Sequence, residues 1–140
     1  MEISKEGINL IKKWESCKLK SYQCSAGVWT IGYGHTENVK QGDEITPEIA
    51  EEYLYQDLQA RMVYLQDLKL NQNQFDACCS LIFNIGAGNF LNSQTREKIQ
   101  DVPDDISVSF EWIEWVSAGG VRLRGLLLRR LDELKLYYKT

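Results

Sequence analysis

The stretch from Asn73 to Gly88 limits the fold more than any other part of this 140-residue chain. Cys78, Leu81, Ile82 and Phe83 leave it apolar on all sides, and Gly86-Ala87-Gly88 follows as a helix stop. A helix that is hydrophobic all round has to be buried all round. The pattern therefore predicts a central core helix starting at Asn73. Before it, Thr46-Pro47-Glu48 is a strong helix start, with a capping hydroxyl, proline at the first position and an acid in the first turn. Its apolar positions run through Ile49, Tyr53, Leu54, Leu58, Met62 and Leu65, the length of a helix that bridges two lobes.

At the N-terminus, Ser4 is placed to cap a helix carrying Ile8, Ile11 and Trp14 on one stripe. Glu15 continues that stripe, an unusual position for a carboxylate. Two β-like pieces follow, Leu19–Cys24 and Val28–Tyr33, joined by Ser25-Ala26-Gly27. Shorter helices are expected at Asn89–Asn92, Ser93–Ile99 and Asp104–Val116, with Gly119-Gly120 breaking the last. A final amphipathic helix from about Leu123 would carry Leu127, Leu131, Leu134 and Tyr138 inward. The expected class is α+β, mainly α, with one small β-element near the N-terminus.

Hydrophobic residues at 44% and charged residues at 26% are ordinary for a globular chain and argue against disorder. The net charge of −4 argues against a general nucleic-acid binder, which needs a basic face to neutralise phosphates. That charge is uneven: residues 1–46 carry six basic and six acidic side chains, residues 47–117 four and twelve, and residues 118–140 six and two. The basic C-terminal set (Arg122, Arg124, Arg129, Arg130, Lys135, Lys139) reads as a solvated helix face. The single histidine, His35, excludes a multi-histidine metal site and reads as a structural hydrogen-bonding residue that locks the hairpin to a helix. Four cysteines (Cys17, Cys24, Cys78, Cys79) form no CxxC pair, so no zinc knuckle or dithiol redox centre is indicated. With no apolar run long enough to span a bilayer and no signal peptide, the expected place of folding is a bacterial cytoplasm.

Glu15, Cys24 and Thr30 put an acid at a helix end together with a thiol and a hydroxyl on a hairpin. A glycosidase needs a carboxylic acid to protonate the leaving oxygen and a second group across the bond. Such spacing alone is unspecific. The text around it is not. Leu10-Ile11-Lys12-Lys13-Trp14-Glu15, then Leu19-Lys20-Ser21-Tyr22 and Ala26-Gly27-Val28-Trp29-Thr30-Ile31-Gly32-Tyr33-Gly34-His35-Thr36, closely resembles the phage-type lysozymes (endolysins) of glycoside hydrolase family 24. Phe75-Asp76-Ala77 leading to Phe83-Asn84-Ile85-Gly86-Ala87-Gly88-Asn89-Phe90 agrees. So does the block Trp115, Gly119-Gly120, Leu123, Gly125-Leu126, Arg129-Arg130 and Glu133.

The resemblance implies a lysozyme-like fold over residues 1–140. About 1–46 with the start of the bridging helix would form a small lobe and about 66–140 a helical one, with the cleft between them. It implies cleavage of the β-1,4 bond between N-acetylmuramic acid and N-acetylglucosamine in peptidoglycan, without metal or cofactor. Glu15 would be the general acid, Thr30 would hold the attacking water, and Cys24 occupies a position most often aspartate. A free thiol is mostly protonated at neutral pH, and an ionised Glu15 nearby would raise its pKa further. Tyr33, Phe83, Asn84 and, with less support, Ser93 would contact the substrate; Arg129 and Arg130 are alternatives for anionic wall peptides. A Cys17–Cys24 disulfide would block the site and act as a switch. The competing reading is a peptidoglycan-binding or thiol-regulated module with weak catalysis. The chain departs from the family pattern in its acidic balance and in Arg124, where the family usually has proline. A monomer is expected, without nucleic-acid partners or membrane insertion, held in the host cytoplasm until a partner such as a holin releases it to the wall.

Overall fold

The computed structural model describes all residues, Met1–Thr140. They form two compact units: residues 11–60, and residues 1–10 together with 61–140. The element order is α1 (Lys5–Trp14), β1 (Lys18–Gln23), β2 (Trp29–Gly32), α2 (Pro47–Met62), a single 3-10 turn (Val63–Leu65), α3 (Gln72–Ile85), α4 (Ala87–Leu91), α5 (Gln94–Asp101), α6 (Ser107–Trp112), β3 (Ser117–Ala118), β4 (Val121–Arg122) and α7 (Arg124–Tyr137). The unit boundaries fall inside α1 and α2.

In the unit of residues 11–60, β1 and β2 pair antiparallel with Lys18 opposite Gly32, Tyr22 opposite Thr30 and Gln23 opposite Trp29, and the register slips once between Lys18 and Tyr22. A third extended piece lies along β1, where Ser21 N donates to Asp43 O and Ile45 N to Leu19 O, both at 2.9 Å. The core is Ile11, Ile31, Ala50, Leu54 and Leu58, all buried. Thr46 caps α2 through its hydroxyl, which accepts from Ile49 N at 3.2 Å. His35 does what its sequence position suggested. It is buried, its Nδ1 lies 3.0 Å from Asp57 Oδ2 on α2, and its ring stacks on Tyr53 at 4.2 Å. The helix predicted from Thr46 to Leu65 gives way to the 3-10 turn after Met62.

In the other unit, α3 is the central helix, buried without interruption from Gln74 to Ile82. It starts one residue before the predicted Asn73, because Asn71 and Gln74 form a capping box in which Gln74 N donates to Asn71 Oδ1 at 2.8 Å and Asn71 N to Gln74 Oε1 at 3.0 Å. Gly86, at φ +90°, ends it. Ser4 caps α1 as expected. Its backbone N also donates to the buried Asp76 of α3 at 2.9 Å, its hydroxyl bonds the same carboxylate, and Gln72 Nε2 adds a further bond at 2.8 Å. This approach of α1 to α3 depends on Gly7: a Cβ there would lie 2.6 Å from Ile3 Cγ1 and 2.8 Å from Asp76 Cγ.

The C-terminal region departs from expectation twice. Gly119 and Gly120, at φ +57° and +77°, do not merely stop a helix; they form the two-residue turn of a second hairpin, β3–β4. More consequentially, α7 turns its charges in and its leucines out. Arg129, Arg130, Glu133, Leu136 and Tyr137 are buried, whereas Leu127, Leu128 and Leu131 are exposed. Glu133 Oε2 accepts from Ser80 Oγ at 2.5 Å and Arg129 Nε at 3.2 Å, while Oε1 accepts from Trp112 Nε1 at 3.1 Å and lies 2.7 Å from Arg130 Nε. Arg129 also donates to Ser80 O at 3.2 Å and Arg130 to Trp115 O at 3.3 Å. Arg129 and Arg130 are therefore neither a solvated face nor a surface contact for wall peptides. They tie α7 to α3 and α6, because buried guanidinium groups persist only where their charge is matched.

Candidate active site

Glu15, Cys24, Thr30 and Tyr33 all belong to the unit of residues 11–60. Glu15 follows the last residue of α1, its N–H donating to Ile11 O at 2.9 Å, and its side chain is half-buried. The stripe of Ile8 and Ile11 thus delivers a carboxyl to the helix end, where it leaves the apolar core without becoming fully solvated.

Cys24 and Thr30 are brought together by the turn between β1 and β2. Cys24 N donates to Val28 O at 2.9 Å and Gly27 N to Cys24 O at 2.8 Å, with Gly27 at φ +78°. The Thr30 hydroxyl, buried on β2, donates to the same Val28 carbonyl at 3.0 Å. That bond occupies the hydroxyl proton and leaves the oxygen lone pairs as acceptors. Backbone N–H groups of Val28 and then Ala26 at the Cys24 sulfur hold the thiol below its ordinary value. The expectation that a neighbouring Glu15 would raise it is not met. Donors fixed by the turn stabilise the thiolate instead. These backbone donors had no residue signature of their own; the only hint was Gly27, which lets the turn close tightly.

Tyr33 follows β2, half-buried, and its hydroxyl is pushed up by burial and by contact with Cys17. Cys17 and Cys24 are both free thiols. They stand at opposite ends of β1, seven residue steps apart, about 20 Å in extended chain. A disulfide needs Cα atoms within about 7 Å, so a Cys17–Cys24 disulfide does not fit this hairpin. Cys78 and Cys79 are buried in α3 as small apolar residues, and burial pushes both thiols well up.

The remaining candidates lie in the other unit. Phe83 and Asn84 occupy the last turn of α3, both half-buried, and the Arg61 guanidinium lies over the Phe83 ring at 5.2 Å. Ser93 is the N-cap of α5: its hydroxyl accepts from Arg96 N at 3.0 Å and donates to Phe90 O at 2.6 Å. It borders an open groove of about 680 Å³ lined also by Asn89, Asn92, Thr95, Glu111 and Trp115, of which Asn89 and Trp115 belong to the motif blocks quoted above. No group of three or more His, Cys, Asp or Glu side chains is arranged to hold a metal ion.

Similarity to known proteins runs over the whole chain. The phage lysozyme family model matches residues 12–133. The chain is 44% identical to an endolysin of Acyrthosiphon pisum secondary endosymbiont phage 1, covering 98% of both chains. Among solved structures, the muramidase domain of SpmX from Asticaccaulis excentricus superposes with a TM-score of 0.93 at 32% identity, covering 99% of both chains. P22 lysozyme does so with a TM-score of 0.89 at 37% identity, again covering 99% of both. A hairpin that ties the Cys24 backbone N–H and the Thr30 hydroxyl to one carbonyl, after a helix followed directly by a glutamate, thus sits in a full-length match of both sequence and fold: the chain belongs to the phage lysozyme family.

Proposed function

We propose that this chain is a lysozyme that hydrolyses the β-1,4 bond between N-acetylmuramic acid and N-acetylglucosamine in peptidoglycan, with Glu15, Cys24 and Thr30 at the reaction centre. Family membership supports the reaction class. The observation that carries the residue roles is the turn that presents a stabilised Cys24 sulfur and an acceptor-poised Thr30 oxygen around one carbonyl.

In this mechanism Glu15 donates its proton to the glycosidic oxygen as the bond to the anomeric carbon breaks. The Thr30 oxygen and the Cys24 sulfur both accept hydrogen bonds from one water and orient it. Cys24, as the thiolate, takes the proton that this water loses on attack, so the cycle closes when that proton returns to Glu15 through solvent. Attack opposite the departing oxygen inverts the anomeric centre. Tyr33, Phe83 and Asn84 are proposed as sugar contacts. Ser93, whose hydroxyl already serves the α5 cap, offers substrate only its remaining lone pair. The protein acts as a monomer, folded in the host cytoplasm and reaching the wall through a holin-type lesion.

Clearing of purified cell walls tests the reading. Glu15→Gln should abolish it, and clearing at the wild-type rate by that variant overturns the assignment of Glu15. The first-formed product should carry the inverted configuration. Retention would mean that the Cys24 sulfur attacks the sugar itself.

A further inference from the structure

Gln23 ends β1 opposite Trp29 and is exposed to solvent, yet its side chain turns back over the hairpin. Its Nε2 donates to Gly27 O at 3.3 Å. A carbonyl only accepts, so the amide nitrogen, not the amide oxygen, must face it. Two neighbouring carbonyls have backbone donors: Cys24 O accepts from Gly27 N at 2.8 Å, and Val28 O from Cys24 N at 2.9 Å. Gly27 O takes no backbone donor and rests on Gln23.

That bond fixes a peptide plane. Every peptide bond in the chain is trans. The Gly27 carbonyl and the Val28 N–H therefore lie in one rigid plane and point in opposite directions. Holding the oxygen on the Gln23 side directs the Val28 N–H the other way. That N–H is the foremost of the groups at the Cys24 sulfur, and no charged side chain ranks beside it. Packing does not supply the restraint. Gly27 sits at φ +78°, and a Cβ there would meet nothing within 4 Å. Glycine is also the residue whose backbone rotates most freely, and Val28 is itself 45% exposed. The plane is kept from turning by a side-chain tether.

We propose that Gln23 is a positioning residue for the reaction centre: its side-chain amide clamps the Gly27–Val28 peptide so that the Val28 N–H stays at the Cys24 sulfur. Its bearing on wall cleavage rests on the reading above, in which Cys24 takes the proton of the attacking water. Gln23 acts through this peptide and donates nothing to the substrate.

The pH dependence of Cys24 alkylation by iodoacetamide tests the clamp. Cys17→Ser serves as the background, so that Cys24 is the one accessible thiol; Cys78 and Cys79 are buried. Gln23→Met keeps length and neutrality without a donor, and Gln23→Asn keeps the donor but loses the reach. Both should raise the midpoint of reactivity by about 0.5 pH unit, leaving about threefold less thiolate on its acid side. The limb of wall clearing that rises with pH should move up by the same amount. Gln23 is exposed, so circular dichroism should show folded protein throughout. Ser25→Ala, an equally exposed change in the same turn, should leave the midpoint in place. A midpoint that falls, or that stays within about 0.1 pH unit of the background in both variants, overturns the clamp whatever the clearing rate does. A midpoint that rises while the clearing profile stays put upholds the clamp and refutes the role of Cys24 in the reaction.

Discussion

Removing the charge of Glu133 should be among the most damaging single changes in this protein. Its carboxylate is fully buried and meets Ser80 Oγ at 2.5 Å, Trp112 Nε1 at 3.1 Å, Arg129 Nε at 3.2 Å, and Arg130 at 2.7 Å through Nε and 3.0 Å through its terminal nitrogen. Two guanidinium groups, also buried, depend on it for charge balance. Breaking a buried ion pair by deleting one partner costs about 3–5 kcal/mol, most of it the penalty of the charge left behind. Glu133→Gln keeps the shape and several hydrogen bonds, so its loss should fall at the lower end, about 3 kcal/mol; Glu133→Ala adds a cavity and should reach the upper end. A domain of this length has an unfolding entropy of roughly 0.3 kcal/mol per kelvin, so these losses lower Tm by about 10–17 °C. Urea titration with thermal melts by circular dichroism measures both. Arg122→Ala, at an exposed position of the same region, should change stability by less than about 0.5 kcal/mol. A Glu133→Gln loss below about 1 kcal/mol, or one no larger than that of Arg122→Ala, would refute the claim that this ion cluster holds α7 in place.

The Cys24 thiol is held low by turn amides, so its thiolate population, and wall clearing with it, should rise with pH through a point below the ordinary thiol range. Cys24→Asp should move that limb into the carboxylate range while Cys24→Ser removes it; coinciding pH profiles for wild type and Cys24→Ser would exclude a thiolate role. Because folding favours the thiolate, the same group should make the protein more stable as pH climbs toward and past the ordinary thiol value. Gly7→Ala should destabilise by about 1–3 kcal/mol in urea titration, since the added carbon meets Ile3 and Asp76 and outweighs a gain of up to about 1 kcal/mol in helix propensity. A maleimide probe followed by mass spectrometry should label Cys17 and Cys24 rapidly in the folded protein and Cys78 and Cys79 only on denaturation. Rapid labelling of all four would contradict the buried α3.

Much of this protein is local enough to be read from the chain alone. The Ser4 and Thr46 caps, the turn at Gly27 and the all-round apolar α3 each depend on residues a few positions apart, and the hairpin carrying Cys24 and Thr30 closes within a short span. The α3 start is legible too, since Asn71 and Gln74 have capping-box spacing, although the apolar pattern alone places the start at Asn73. What the sequence could not decide is the orientation of α7. Leu123, Leu127, Leu131 and Leu134 have the period of an inward stripe, yet the side turned inward holds Arg129, Arg130 and Glu133. Their partners Ser80 and Trp112 lie on α3 and α6, and only their convergence makes burial of the charges affordable. The donors on Cys24 are likewise invisible in residue identity, because they are backbone N–H groups aimed by the turn. Periodicity reports which side chains prefer apolar surroundings, but tertiary structure decides whether a charged set finds enough partners to displace them from the core.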